Sequence, residues 1–206
     1  MSQTKIKAGG FDVDVITGTT ALTEAPASTD EFLISDGGVL KRLDASHVGG
    51  TNNNLFRVYR NGAQTLNHAT STKVQFNAET FDVNSKFDSS TNYRYTPAST
   101  GYYKLHAQVS FDANNSSGDY LRRAYLQIFK NGSSIARLNF RLLDSGSDIM
   151  DEVTFSVDAI DNSSDTDDYY EVFVEANNAN GSNNCDVTGG AIYTYFTGYK
   201  LITWVT

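Results

Sequence analysis

The most constraining feature of this sequence is the strict alternation of apolar and polar residues between Tyr103 and Phe111. The apolar positions are Tyr103, Leu105, Ala107, Val109 and Phe111. Successive side chains of a β-strand point to opposite faces, so this pattern predicts a long strand with one buried and one polar face. Shorter alternations recur downstream between clusters of Asn, Gly, Ser and Asp, while the 3.6-residue spacing of an amphipathic helix is nearly absent. We therefore predict an all-β sandwich or barrel.

Four further strands are predicted from the same signals. They run through Leu126 and Ile128 into a tight turn at Asn131-Gly132, through Val153 to Val157, through Tyr170 to Val174, and through residues 191–205.

Composition and charge exclude several classes of protein. The chain of 206 residues contains 12 Tyr and 12 Phe, which is incompatible with whole-chain disorder. A net charge of −8 makes nucleic acid a poor partner, because its recognition needs a basic surface. No apolar run approaches the length of a membrane-spanning helix, so no membrane insertion is expected. The N-terminal lysines are not followed by an apolar stretch, so no secretory signal is expected either.

A boundary is predicted within residues 49–54, Gly-Gly-Thr-Asn-Asn-Asn, because these residue types are typical of linkers. The chain should therefore comprise an N-terminal segment, residues 1–50, and a β-sandwich domain, residues 51–206. Within the first segment, residues 31–43 resemble a hairpin with its turn at Asp36-Gly37-Gly38. A segment this short and this poor in large apolar residues cannot form a stable domain alone. It must therefore pack against trimer mates, the downstream domain or a larger assembly.

Residues 55–203 resemble the C1q/TNF-like jelly-roll family. The resemblance rests on Val74-Gln75-Phe76-Asn77 before Phe81-Asp82, Thr96-Pro97 leading to Gly101-Tyr102-Tyr103, Leu126 to Gly132, Val153 to Val157, and Tyr195 to Leu201. It implies an antiparallel jelly roll that forms a homotrimer. In that family the outer face of the strand that contains His106 turns toward the threefold axis, which implies an axial layer of His106, Met150 and Phe196. The alternative is that His106 is simply an exposed strand residue.

Residues 19–48 resemble a segment found in tailed-phage structural proteins. The carrying residues are Asp30-Glu31-Phe32-Leu33-Ile34-Ser35-Asp36 and Leu40-Lys41-Arg42-Leu43. This resemblance implies a docking arm that attaches a C1q-like head to other virion proteins, with Phe32, Ile34, Leu40 and Leu43 as docking residues. The expected location is the virion, assembled in the host cytoplasm.

The two resemblances together favour a non-enzymatic bacteriophage structural protein. One form of this hypothesis is a fibre-like or receptor-binding protein for host attachment, and the other is a capsid decoration or head fibre protein. A more distant alternative is a cellular C1q-like carbohydrate-binding lectin. Contact with host surface glycan or protein is expected in loops 112–120 and 177–190, whose candidate residues are Asn114, Asn115, Asp119, Asn180, Asn183 and Asn184. Plain solvated turns are the alternative for both loops.

No catalytic motif accompanies these features. None of the three histidines lies in an activating motif, and no nucleophile elbow is present. No cofactor is expected, with one open alternative. Asp158, Asp161 and Asp165 supply carboxylates that calcium prefers, although their spacing differs from that of an EF-hand and a solvated acidic loop is the preferred interpretation.

Overall fold

The computed structural model describes residues 26–27, 29–48, 52–113, 120–142, 150–181 and 185–202. The chain divides into two units, Met1–Thr51 and Asn52–Thr206, where a boundary between residues 50 and 51 was expected.

The described part of the first unit is an antiparallel hairpin. Its strands are β1 (Glu31–Asp36) and β2 (Val39–Asp44), and a 3₁₀ turn (Ala45–His47) follows. Gly37 and Gly38 link the strands with φ angles of 57° and 81°, the left-handed conformation that a two-residue hairpin turn requires. The predicted hairpin and its turn are therefore confirmed.

The second unit is a β-sandwich. Its strands are β3 (Leu55–Tyr59), β4 (Gln64–Thr65), β5 (Thr72–Lys73), β6 (Ala78–Asp82), β7 (Phe87–Asp88), β8 (Arg94–Tyr95), β9 (Gly101–Asp112), β10 (Leu121–Lys130), β11 (Ser133–Arg141), β12 (Glu152–Ser163), β13 (Tyr170–Asn178), β14 (Asp186–Val187) and β15 (Tyr195–Lys200). The turn between β10 and β11 is the predicted one, with positive φ at Asn131 and Gly132.

These strands form two antiparallel sheets. The six-stranded sheet has the order β11-β10-β13-β8-β7, with β5 also paired to β13. In the seven-stranded sheet β9 pairs along its whole length with β12 on one side. On its other side β9 pairs with β15 and β14, which continue to β3-β6 and to β4 respectively.

The core lies between the two sheets and confirms the alternation read from the sequence. The predicted apolar face of β9 has no exposed surface at any of its positions: Tyr103, Leu105, Ala107, Val109 and Phe111. Opposite it, Leu126, Ile128, Tyr170, Val172 and Val174 are equally buried. The strand predicted over residues 191–205 is shorter than expected, because residues 191–194 form a turn held by hydrogen bonds to the carbonyl of Gly190.

Gly198 in β15 is expected to tolerate no larger residue. A Cβ atom at this position would lie 2.8 Å from Leu105 Cδ2 and 2.9 Å from Phe56 Cε1, both buried core groups. Gly198→Ala should therefore lower the free energy of unfolding by about 1–3 kcal/mol, the usual cost of overpacking. The measurement is urea unfolding, with Ser156→Ala as a control on an exposed position of β12. Equal midpoints for the two variants would contradict this close packing.

Candidate functional site

The outer face of the seven-stranded sheet carries the described polar cluster that best fits a site. Lys104, His106 and Gln108 alternate with the buried residues of β9 and therefore point away from the core. Strand register places Asp158 of β12 directly beside His106 on one side and Thr197 of β15 beside it on the other.

His106 is held by two neighbours on this face. Its Nδ1 lies 3.0 Å from Asp158 Oδ1, and its Nε2 lies 3.2 Å from the hydroxyl of Tyr195. The guanidinium of Arg57 stacks 3.8 Å from the centre of the Tyr195 ring. These contacts fix the imidazole at the middle of the sheet face rather than leaving it a free surface side chain.

Asp158 is shared between two basic groups. Lys104 Nζ lies 2.8 Å from its carboxylate, beside the contact with His106. Lys104 is the largest influence on the pKa of Asp158 and lowers it. Desolvation raises that pKa, His106 lowers it further, and the net shift is below the ordinary value of 3.8. The carboxylate therefore stays ionised and organises this part of the face.

An exposed apolar patch, which we define as Tyr102, Ile160 and Tyr199, surrounds Lys104. Ile160 and Tyr199 are its cross-strand partners on the two sides, and Tyr102 precedes it on the same face of β9. The three residues are 49%, 65% and 47% exposed. Large apolar side chains grouped on a sheet face are typical of an interaction surface.

The predicted axial layer does not form as proposed. His106 points outward as expected, but Phe196 is fully buried and packs against Phe56, 5.0 Å away, and Phe76, 6.0 Å away. The reason is the pleat of β15: Tyr195 and Thr197 face outward, so the residue between them must face inward. The assignment of Phe196 to an outer face was therefore wrong.

Met150 is also displaced from the position that the resemblance implied. It precedes β12 and accepts a hydrogen bond from the amide of Leu121, at the end of the sandwich near Asp112. His106 pairs with Asp158, eight positions further along, a separation of about 26 Å at the rise of a β-strand. These two residues do not share one layer.

The three calcium candidates do not converge. Asp158 and Asp161 are three residues apart in one strand and therefore lie on opposite faces of it. Asp165 accepts a hydrogen bond from the amide of Asp167. Among the described residues no group of three or more His, Cys, Asp or Glu side chains is arranged to hold a metal ion. The three carboxylates therefore do not form one shared site in the described structure.

The ammonium of Lys130 supplies the positive charge between two neighbouring carboxylates. Its Nζ is 3.1 Å from the carboxylate of Asp161 and 3.1 Å from that of Asp168. Asp168 also accepts hydrogen bonds from Asn131 and from the backbone amide of Ser164. This network closes the end of the sandwich at the turn that links β10 and β11.

Acid should weaken this network, because the pKa of Asp168 is depressed. Burial raises that pKa, but hydrogen bonds from Asn131, Lys130 and backbone amides outweigh burial and lower it from 3.8 to about 2. Stability from Asp168 is thus fully present above pH 3.8 and lost as pH falls through about 2. We expect Asp168→Asn to cost about 2–4 kcal/mol at pH 7. Its thermal unfolding should also depend less on pH between 4 and 2 than that of the wild type. Identical pH profiles would contradict this role.

Most of the predicted ligand residues lie outside the described part of the chain. Asn114, Asn115, Asp119, Asn183 and Asn184 belong to this group. Asn180 is described, and it is exposed beside an open cleft at one end of the six-stranded sheet.

The predicted docking residues divide between the two faces of the hairpin. Phe32 pairs with Leu43 and shares its face with Ile34, whereas Leu40 pairs with Ser35 on the opposite face. Phe32 and Leu40 are 38% and 66% exposed, so each face of the hairpin offers apolar surface.

Two residues on the outer face of the seven-stranded sheet were not predicted from the sequence as site residues. Arg57 and Tyr195 complete the cluster around His106, and both lie on strands distant in sequence from β9. Alternation in the segment Tyr195 to Tyr199 could have identified Tyr195, since buried Phe196 and Gly198 fall between the outward residues.

The geometry of the second unit agrees with the comparisons to known proteins. No protein-family model matches the chain, and no curated protein is similar to it in sequence. Among solved structures, murine APRIL at pH 5.0 is similar, with 12% identity, a TM-score of 0.51, and coverage of 71% of this chain and 98% of that one. Eiger TNF from S. frugiperda is similar with 9% identity, a TM-score of 0.50, and coverage of 74% and 96%. The sandwich is therefore a TNF-like jelly roll, as the sequence resemblance implied.

No helix in the described residues is both long and apolar enough to span a membrane.

Proposed function

We propose that this chain is a non-enzymatic structural protein of a bacteriophage particle, a trimeric fibre-like or receptor-binding protein with a C1q-like head. The single observation that carries the proposal is the apolar patch of Tyr102, Ile160 and Tyr199 on the outer face of a complete jelly roll. The sandwich already has its own buried core, so this patch is additional surface that assembly would cover. The resemblance to the C1q/TNF-like family implies that this assembly is a trimer with threefold symmetry.

The first unit supports a docking role. Its hairpin exposes Leu33 and Leu40 on one face and Val39 on the other, at 64%, 66% and 59% exposure. An isolated two-stranded hairpin is marginally stable in water, so a hairpin with apolar side chains on both faces gains from burial against a partner. Attachment to another virion protein would provide that burial.

Immunogold electron microscopy tests the particle role. Antibody raised against the second unit is applied to virus particles purified from the source of the gene. Labelling at the tail supports a fibre or receptor-binding role, and labelling on the capsid supports the decoration alternative. Particles that contain the chain by mass yet bind antibody nowhere on their surface, or particles without the chain, would refute the proposal.

Removal of the first unit should separate assembly from attachment. A chain that begins at Asn52 keeps the hydrogen bond from the Asn52 side chain to the carbonyl of Lys200 and should retain the jelly roll. We expect this truncated chain to form the same oligomer but to be absent from particles when it replaces the full chain. Normal incorporation would show that residues 1–51 are not the docking segment.

A further inference from the structure

An open cleft of about 680 Å³ lies at the end of the six-stranded sheet where β10, β11 and β13 meet. Arginines and asparagines dominate its described lining: Arg122, Arg123, Arg141, Asn177, Asn178 and Asn180. None of the described lining residues is acidic, although the whole chain carries a net charge of −8. A concentrated positive cleft on an acidic protein indicates an anionic ligand.

Two of the arginines lie directly opposite each other on neighbouring strands, where their positive charges repel. Arg123 of β10 and Arg141 of β11 are direct cross-strand partners, an arrangement in which like charges destabilise the pairing. The register between β10 and β13 shifts between Leu121 and Arg123, so an extra residue, Arg122, enters the same end of the sheet. An anion bound between the guanidiniums would relieve this repulsion.

The position of Arg123 is set by its surroundings. In the orientation that its neighbours require, the amide of Asn177 accepts a hydrogen bond from Arg123 Nη2 at 2.9 Å and donates one to Glu175 at 3.1 Å. Glu175 is itself 3.6 Å from Arg123 Nη2. The ring of Tyr125 lies between Arg123 and Arg137, at 5.0 and 3.8 Å from their guanidinium carbons. Arg123 is thus preorganised, whereas Arg141 takes part in no ion pair with any described residue.

Asn178 lies on the other side of the sheet from these arginines. Its side chain belongs to the core side of β13, in phase with Val174 and Ala176 and opposite the buried Leu121, whereas Asn177 shares the outer face with Arg123. The polar surface beside the arginines is therefore the rim of the cleft, where Asn180 is exposed.

We propose that this cleft binds an acidic saccharide, with the guanidiniums of Arg123 and Arg141 on its carboxylate or sulfate group and the exposed rim at Asn180 beside its hydroxyls. Planar guanidiniums match both anionic groups through paired hydrogen bonds. The volume is of the size that holds a small ligand. Leu142 is the one large apolar side chain among the described lining residues, so a peptide would lack the buried anchors that it needs. The inference rests on the proposed function only in taking the sugar to belong to a host surface.

Calorimetric titration of the purified full chain tests the cleft separately from the particle role. The probes are trigalacturonate, its uncharged methyl ester, a sulfated chondroitin disaccharide and a decamer of glutamate. We expect at least one acidic sugar to bind about ten-fold or more tightly than the methyl ester, as charge-assisted hydrogen bonds require. Binding by either acidic sugar supports the proposal, and the tighter one identifies the anionic group.

Arg141→Gln and Arg94→Gln form a matched pair of variants. Arg141 is exposed, so its replacement should leave the fold intact, which thermal unfolding verifies. Arg94 is another guanidinium of the same sheet, stacked on Tyr169 near the opposite end of β13. We expect Arg141→Gln to weaken binding of the acidic sugar about ten-fold and Arg94→Gln to change it less than two-fold. Equal effects of the two variants, absence of binding by both acidic sugars, or tighter binding of the glutamate decamer would overturn the proposal.

Discussion

Replacing Phe196 with alanine is expected to lower the free energy of unfolding by about 3–5 kcal/mol, a large part of the stability of a single domain. Phe196 has no exposed surface and lies within an aromatic cluster with Phe56, Phe76 and Phe87. Removal of its ring leaves a cavity between the two sheets that the surrounding strands can fill only in part. Guanidinium unfolding followed by circular dichroism measures the change.

Phe81→Ala is the matched control for this effect. Phe81 lies on β6 at the sheet edge, is 40% exposed, and should cost less than about 1 kcal/mol when truncated. If Phe196→Ala changed the oligomer while leaving the unfolding midpoint near that of Phe81→Ala, Phe196 would be an interface residue and the core assignment would fail.

Replacing Ile160 with aspartate should dissociate the oligomer while leaving the jelly roll folded. Ile160 is 65% exposed on β12, and its cross-strand neighbour Lys104 is already paired with Asp158. A new carboxylate at the centre of a self-association surface would have to be desolvated once in every subunit, which costs several kcal/mol per ion. Size-exclusion chromatography with light scattering reports the mass, and circular dichroism reports the fold.

Ile192→Asp provides the control for the Ile160 variant. Ile192 is 72% exposed in the turn before β15, so the same chemical change occurs at an exposed isoleucine outside the apolar patch. We expect this variant to keep the mass of the wild type. The carbonyl of Ile192 accepts a hydrogen bond from Gln108 on the same sheet face, so dissociation by Ile192→Asp but not by Ile160→Asp would centre the interface on this turn instead of on the apolar patch.

The sequence was sufficient to predict the fold class because its strands are long enough to show alternation. The buried positions of β9 and β13 follow directly from the period of two, and the turns at Gly37-Gly38 and Asn131-Gly132 follow from their residue types. Strands of two residues, such as β7 and β14, carry no periodicity and depend on neighbours that are remote in the chain. Those strands could not be identified from local pattern.

The sites were less predictable, because each depends on which strands become neighbours. Asp158 lies beside His106 only through the pairing of β9 with β12, a contact between residues 52 positions apart. The arginines of the cleft likewise meet through the register of β10 with β11 and a bulge against β13. For Phe196 the local alternation of β15 correctly indicates a buried side chain, whereas the alignment with the family pattern assigned it to the outer face.

Sedimentation equilibrium of the full chain at micromolar concentration tests whether the outer face of the seven-stranded sheet assembles the head into a trimer. We expect a single species with three times the 22.6 kDa mass of the chain. A stable species with the mass of one chain across that concentration range would contradict this expectation, since the apolar patch of Tyr102, Ile160 and Tyr199 would then remain in water.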